Sequence, residues 1–447
     1  MDPKNLDQEA FGERIHQFLS PSGPLESSEC LFGRDDQLGR IRKALMAPGR
    51  QIFIYGERGV GKSSLANAAA TEFQSSDKHP IHVSGSSDAT FQTIVWSLIK
   101  ATGAESQSTI SVKAEANVKL SNLGGSWQQE KTTPPAPPPL TIDEAAARLD
   151  RAFGEYSNRT IAVIDEFEHI PDPNERNRFA ELVKALGDRK SKVKLIFTGV
   201  APALDELFDS HGSAHRQFDT ILLERLAYQP RIDIVKQAID AFETTVDDGV
   251  LYRIASVSNG FPYYVHLLTE HLLWAWYEDN DSGAIELTHL HRAFETACDA
   301  VNADLRRPYE KATRGRDLAA HVLWATADAY DLERTSDAVW RSYNQICEVL
   351  SIEPVERTKI SDQLRKLRDD SHGSILSVDP ARKLHKYTEP MVRGFVRMMA
   401  ARSDIHLQDQ AFDPAPQTIH TPNISNRKRW RDTNNFIPRV QMGSRKK

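Results

Sequence analysis

Cysteine is scarce in this chain. The 447 residues hold three, Cys30, Cys298 and Cys347. They are too few and too far apart for a disulfide framework or a zinc ligand set, so a reducing cytoplasm is the expected setting. Long apolar runs are missing as well. No stretch approaches the roughly 18 apolar residues that a membrane span needs, so no membrane contact is expected. The opening stretch MDPKNLDQEAFGERIHQF is acidic and has no apolar h-region, so no secretory signal is expected. There is no large excess of one charge either. Fifty-six Lys and Arg against 62 Asp and Glu give a net charge of -6, which argues against a protein coated in nucleic acid. What is present is an ordinary globular balance, 40% apolar and 26% charged. At about 150 residues per domain, the length suggests roughly three domains.

The net charge conceals an asymmetry. Residues 420–447 carry eight basic residues (Arg427, Lys428, Arg429, Arg431, Arg439, Arg445, Lys446 and Lys447) against Asp432, a net +7 that leaves -13 for residues 1–419. Such a polar tail, residues 402–447, is expected to be disordered. It suits non-specific contact with phosphate backbones, with Trp430 able to stack on a base, or equally a solubilising role.

Hydropathy patterning divides the rest. Residues 1–30 read as a helical arm followed by the linker Ser20-Pro-Ser-Gly-Pro24. Short strands read at 51–55 and 80–83, a further apolar run lies at 220–223, and the nearly continuous apolar runs at 160–165 and 193–198 suit central strands of a parallel sheet covered on both faces. Helical patterns between them imply a βαβ architecture. An insertion at about 104–140 departs from this. Thr109 to Ser121 alternates strictly, with Ile110, Val112, Ala114, Ala116, Val118 and Leu120 on one side, as in a half-buried strand or strand pair. Asn122-Leu-Gly-Gly125 then signals a turn, and Pro134-Pro-Ala-Pro-Pro-Pro139 a stiff polyproline spacer. The insertion reads as an edge hairpin or as a protrusion for partner contact. Residues 227–305 turn helical and suit a four-helix lid. Residues 318–401 read as three helices, a short strand, a turn and a last helix from about Pro390.

The strongest motif is Gly56-Glu57-Arg58-Gly59-Val60-Gly61-Lys62-Ser63, a phosphate-binding P-loop between a strand and a helix that opens near Ser64. Its glycines let backbone N–H groups curl around phosphate, and the helix N-terminus adds positive potential. Lys62 is expected to reach the β- and γ-phosphates of ATP, and the Ser63 hydroxyl to bind Mg2+. The run Ile161-Ala-Val-Ile-Asp165-Glu166 supplies the partner motif. Asp165 is the expected Mg2+ ligand and Glu166 the carboxylate that polarises the attacking water. Thr198 ends the next strand, where it either senses the γ-phosphate or is a plain strand-end threonine. Arg216 reads as an arginine finger for a neighbouring subunit or as a solvated arginine.

With these residues placed, the chain resembles the AAA+ ATPases, especially the origin-recognition/initiator-like clade and its STAND-type relatives. The resemblance spans about residues 30–400. It implies an α/β P-loop NTPase core over 31–226, a parallel sheet flanked by helices, with a helical lid over 227–305 and a winged helix over 318–401. It places Arg34, in Leu31-Phe-Gly-Arg34, in the segment that frames the adenine. The lid departs from the common Gly-x-x-Arg sensor. It reads Gly260-Phe-Pro262-Tyr-Tyr264, like the Gly-x-Pro of STAND switches, which puts Pro262 against the nucleotide and favours slow, switch-like hydrolysis. Arg357, Lys359, Arg365, Lys366 and Arg368 on the third helix of the winged helix, with Arg382, Lys383 and Lys386 on its wing, are the expected DNA contacts. A protein-facing role for that surface stays open. The expected function is an ATP-dependent switch that forms homo-oligomers, engages DNA and regulates a separate effector protein in replication, transposition or phage defence. The alternative is a nucleotide-bound signalling scaffold that activates a partner without DNA.

Overall fold

The computed structural model describes residues 6–25, 28–103, 139–210, 216–279 and 283–408. The alternating segment, the polyproline run and the basic tail lie outside them. Five strands form one parallel sheet: β1 (Gln51–Tyr55), β2 (Ile81–Ser84), β3 (Ile161–Asp165), β4 (Lys194–Gly199) and β5 (Phe218–Leu222), in spatial order β2-β3-β4-β1-β5. The apolar runs are strands because both faces are covered. Ile52, Ile54, Ile161, Val163 and Ile196 enter one core, while Phe53, Ala162, Ile164, Leu195 and Phe197 enter the other. This is the period-two alternation of a strand read from both sides. On the first face lie α2 (Asp35–Met46) and α3 (Lys62–Phe73). On the second lie α4 (Phe91–Ala101), α5 (Ile142–Tyr156), α6 (Pro173–Asp188) and α7 (Ala201–Ser210).

The helices start where side chains satisfy their first N–H groups. Thr141 and Glu144 cap α5 reciprocally, at 2.9 and 3.3 Å. Asp172 caps α6, with Pro173 just inside it. Register then sets the working edge. Tyr55 lies opposite Gly199 and Leu222, and Ile164 opposite Phe197. The carboxyl ends of β1, β3 and β4 therefore finish side by side, where open α/β sheets bind ligands.

After the sheet comes a helical bundle: α8 (Tyr228–Asp240), α9 (Asp248–Ser258), α10 (Pro262–Tyr277) and α11 (Leu287–Ala300). The arm at the N-terminus is part of this bundle. Its helix α1 (Gln8–His16) buries Phe11, whose ring centroid lies 4.7 Å from Phe242, 5.1 Å from Trp274 and 4.1 Å from Tyr277. A further helix, α12 (Ala303–Thr313), fills the stretch that the patterning left unassigned.

The last part holds α13 (Asp317–Ala327), α14 (Ser336–Leu350), α15 (Arg357–Lys366), an antiparallel ribbon of β6 (Leu376–Val378) and β7 (His385–Tyr387), and α16 (Val392–Arg402). Arg334 bridges to His385 beside the ribbon, at 2.8 and 2.7 Å. Two buried arginines lock α16 to the end of α13 and, through Arg397, to α9. Arg393 donates to the carbonyls of Ala327, Ala329 and Asp331. Arg397 donates to those of Ser256, Ala327 and Leu407. Backbone carbonyls rather than carboxylates receive most donors of both guanidinium groups, and Arg393 Nε has no partner among the described residues.

Candidate active site

The cavity at the sheet edge, about 340 Å3, is lined by the 58–64 loop, the strand ends, the first turns of α10, residues 20–25 and 30–34, and Met391, among others. The loop itself requires glycine. Gly59 and Gly61 sit at φ of 78° and 95°, a region that side chains with a Cβ avoid. Gly61 caps α3 without a side-chain bond. The free N–H groups of the first turn are thus available to an anion. Lys62 donates from Nζ to the carbonyls of Gly56 and Glu57, at 3.2 and 2.9 Å. Burial pushes its ammonium below the ordinary lysine range, and Glu168, then Asp165 and Glu57, pull it back.

Opposite the loop, Asp165 gathers the neighbouring residues. Its Oδ1 accepts from Ser63 Oγ at 3.0 Å, from the Glu166 N–H at 3.1 Å, and from the Thr198 hydroxyl. Thr198 is fully buried and its Oγ1 accepts a second bond from the Glu166 N–H, at 3.2 Å. Ser63 and Asp165 therefore present two hard oxygens on one point. That suits Mg2+, which takes one or two protein oxygens and completes its shell with water and phosphate. Glu166 lies at φ 53° with its side chain 47% exposed, its carboxylate 3.3 Å from His169 Nδ1.

The structure brings Gly59, Val60, Gly61, Lys62, Ser63, Ser64, Asp165, Glu166, Thr198, Arg34 and Pro262 to one cavity. Arg34 reaches it as a brace. Its buried guanidinium donates to the carbonyls of Val60 (3.0 Å) and Glu224 (2.8 Å), fixing the loop to the chain after β5. Arg216 does not join them. It is exposed and precedes Phe218, the residue of β5 that faces Gln51 at the opposite end of the sheet.

Several cavity residues escaped sequence reading. Leu25 donates its N–H to Ser64 Oγ at 3.1 Å, so the stretch read as a linker forms a wall. His266, one turn past Pro262, accepts the Ser20 N–H at 3.4 Å, and burial lowers its pKa to about 4. Tyr263 and Glu168 also line the cavity. So does Met391, from the turn before α16. A Cβ on Gly59 would lie 2.3 Å from its sulfur. Beside it Arg58 and Glu389 pair at 3.6 Å, and the Met391 carbonyl accepts from Tyr264 Oη at 2.7 Å. The i+4 spacing from Pro262 was a usable signal for His266; nothing local marks Met391.

The basic surface of α15 and the ribbon is exposed. Carboxylates neutralise part of it. Arg357 pairs with Asp337, Arg365 with Asp362 at 3.0 Å and Lys386 with Glu333 at 3.6 Å. Among the described residues, no carboxylate pairs with Lys359, Lys366, Arg368, Arg382 or Lys383.

Residues 31–196 match the family model of the AAA ATPase domain. No curated protein sequence matches the chain. Solved structures similar to it include a Walker-type ATPase of Pyrococcus abyssi (18% identity, 84% of this chain and 99% of that one, TM-score 0.47). A second is Cdc6p of Pyrobaculum aerophilum (16%, 87% and 98%, 0.39). A third is the ORC1 protein of Aeropyrum pernix in complex with DNA (15%, 82% and 92%, 0.42).

Proposed function

We propose, from the AAA ATPase domain at residues 31–196, that the chain is an ATP-binding, slowly hydrolysing molecular switch whose nucleotide state is read by its C-terminal helices and ribbon. One observation carries this reading. Met391 rests on Gly59 of the phosphate loop and is bonded through its carbonyl to Tyr264 of α10. Any movement of the loop on taking up phosphate is felt at both places.

Lys62 would leave the carbonyls of Gly56 and Glu57 for the β- and γ-phosphates. Ser63 and Asp165 would hold Mg2+, which neutralises phosphate charge. Thr198 fixes Asp165, and Glu166 orients water at the rim. Arg216, exposed and distant from its own cavity, would serve a neighbouring subunit's site in a homo-oligomer. The test is equilibrium binding of a fluorescent ATP analogue to the full chain. Lys62→Ala is expected to weaken binding at least about 30-fold, the loss of one charge-assisted contact of about 2 kcal/mol. Unchanged affinity would refute the site.

The last part of the chain reads as a winged helix that engages DNA through α15 and the ribbon. Its support is the set of unpaired cations Lys359, Lys366, Arg368, Arg382 and Lys383, and its signature is a salt-dependent affinity for duplex DNA. The scaffold alternative, activation of an effector protein without DNA, draws on the ion pairs that occupy Arg357, Arg365 and Lys386.

A further inference from the structure

The cavity has two chemically different ends. Lys62, Ser63, Asp165, Glu166 and Thr198 make one of them polar and charged. The other is walled by Leu31, Phe32, Leu226, Ile234 and Pro262, an apolar slot of the kind that takes a flat aromatic ring. Helix α10 borders both. Pro262, its first residue, has Cγ 3.8 Å from where a Cβ on Gly61 would stand, so the helix begins against the phosphate loop. His266 follows on the same face, one turn or about 6 Å further along the axis. It lines the same cavity and is 4% exposed.

The hydrogen bonding of His266 fixes where its proton sits. The Ser20 N–H can only donate, so Nδ1, 3.4 Å away, is the acceptor. Burial lowers the pKa of the ring to about 4, so it is neutral at pH 7. The one proton of the neutral ring is therefore on Nε2. Among the described residues nothing accepts it. Nor is that nitrogen walled in, since it is absent from the unpartnered side-chain atoms that are sealed from solvent. It has an open side, and the space that His266 borders is the cavity. A neutral N–H held in an apolar slot without an acceptor costs free energy that a ligand carrying one recovers.

We propose that His266 reads the base of the nucleotide, its Nε2–H donating to a ring nitrogen of adenine. The inference rests on the ATP-binding reading above. Adenine carries N1, N3 and N7 as neutral acceptors whose lone pairs lie in the ring plane. A single neutral donor matches one of them, whereas Lys62 supplies the charge that phosphate calls for. An analogue lacking that nitrogen would leave Nε2–H unpaired in the closed slot, which is how a polar group in an apolar pocket selects its ligand. Ser20 acts as a positioning residue. By occupying Nδ1 it keeps the proton on the nitrogen that faces the ligand.

The experiment measures equilibrium binding of ATP, its 1-deaza, 3-deaza and 7-deaza analogues, and 2′-deoxy- and 3′-deoxy-ATP to the full chain, as wild type, H266F and H266Q. Each deaza analogue replaces one ring nitrogen by C–H. In wild type, one of the three should bind about tenfold more weakly than ATP, the net worth of one neutral hydrogen bond. H266F keeps a planar ring without the donor. It should bind ATP about tenfold more weakly than wild type does, and should no longer distinguish that analogue from ATP. H266Q, whose amide can place an N–H near the Nε2 position, should recover part of the ATP affinity. A purely structural role would weaken every ligand alike in both variants and leave no deaza penalty in wild type. Binding of all three deaza analogues to wild type within about threefold of ATP would overturn the proposal without recourse to a variant. So would a deaza penalty that persists in H266F, or a penalty confined to the deoxy analogues, which would assign Nε2–H to the ribose. A wild-type chain that binds neither ATP nor any analogue fails differently, overturning the ATP-binding reading and this proposal with it.

Discussion

At the residue scale, burial decides the chemistry of the cavity. His266 is almost fully enclosed, and loss of hydration pushes its pKa from the ordinary 6.5 to about 4. Between those values the unfolded chain binds a proton that the folded chain refuses. The folded state therefore loses stability as pH falls through that window, by up to about 3 kcal/mol at its lower end. His271, His321, His372, His385 and His406 are shifted in the same direction. A comparison that changes only His266 isolates its share. His266→Leu is expected to show a smaller fall in Tm between pH 7 and pH 5 than wild type. Parallel curves for the two proteins would exclude His266 as the group responsible. The residue types of the phosphate loop and of Asp165-Glu166 could be read from sequence because backbone geometry demands them locally.

At the element scale, β1, β3 and β4 were legible because each is an apolar run covered on both faces, and their observed ends fall within a residue of those expected; β7, three residues long, was missed. α3 begins at Lys62, two residues before the expected start, because the helix opens directly from the glycine turn. α12 was missed. Its sequence, ADLRRPYEKAT, is dominated by charge, carries Pro308 within the helix and buries only Tyr309 and Ala312. Basic residues on α15 and the ribbon were equally visible, but the pairing of Arg357 and Lys386 was not, because Asp337 and Glu333 approach from other elements. This bears on DNA contact. Five unpaired cations support a slope of log affinity against log salt of at most about -4.5 on B-DNA from this surface. Lys366→Ala should reduce the slope by about one, whereas Arg365→Ala, already tied to Asp362, should reduce it less. A slope unchanged after all five are replaced by Ala would remove α15 and the ribbon from DNA binding.

At the scale of the whole molecule, the docking of the parts was not legible. Nothing in the spacing of an N-terminal arm shows that Phe11 will enter the helical bundle, or that residues 20–25 will wall the nucleotide cavity. Nor does the sequence place Met391 on Gly59, a contact between residues at opposite ends of the described chain. That docking turns a P-loop into a candidate switch. The loop, α10 and the turn before α16 share one boundary, and the switch we propose would couple phosphate in the loop to the position of the C-terminal part through it. Hydrogen–deuterium exchange over residues 388–395 of the full chain, with ATP, with ADP and without nucleotide, tests this most directly. The account predicts exchange rates that differ between the ATP and ADP states by at least about tenfold, a coupling of about 1.4 kcal/mol. Identical exchange in all three states, with nucleotide bound, would contradict it.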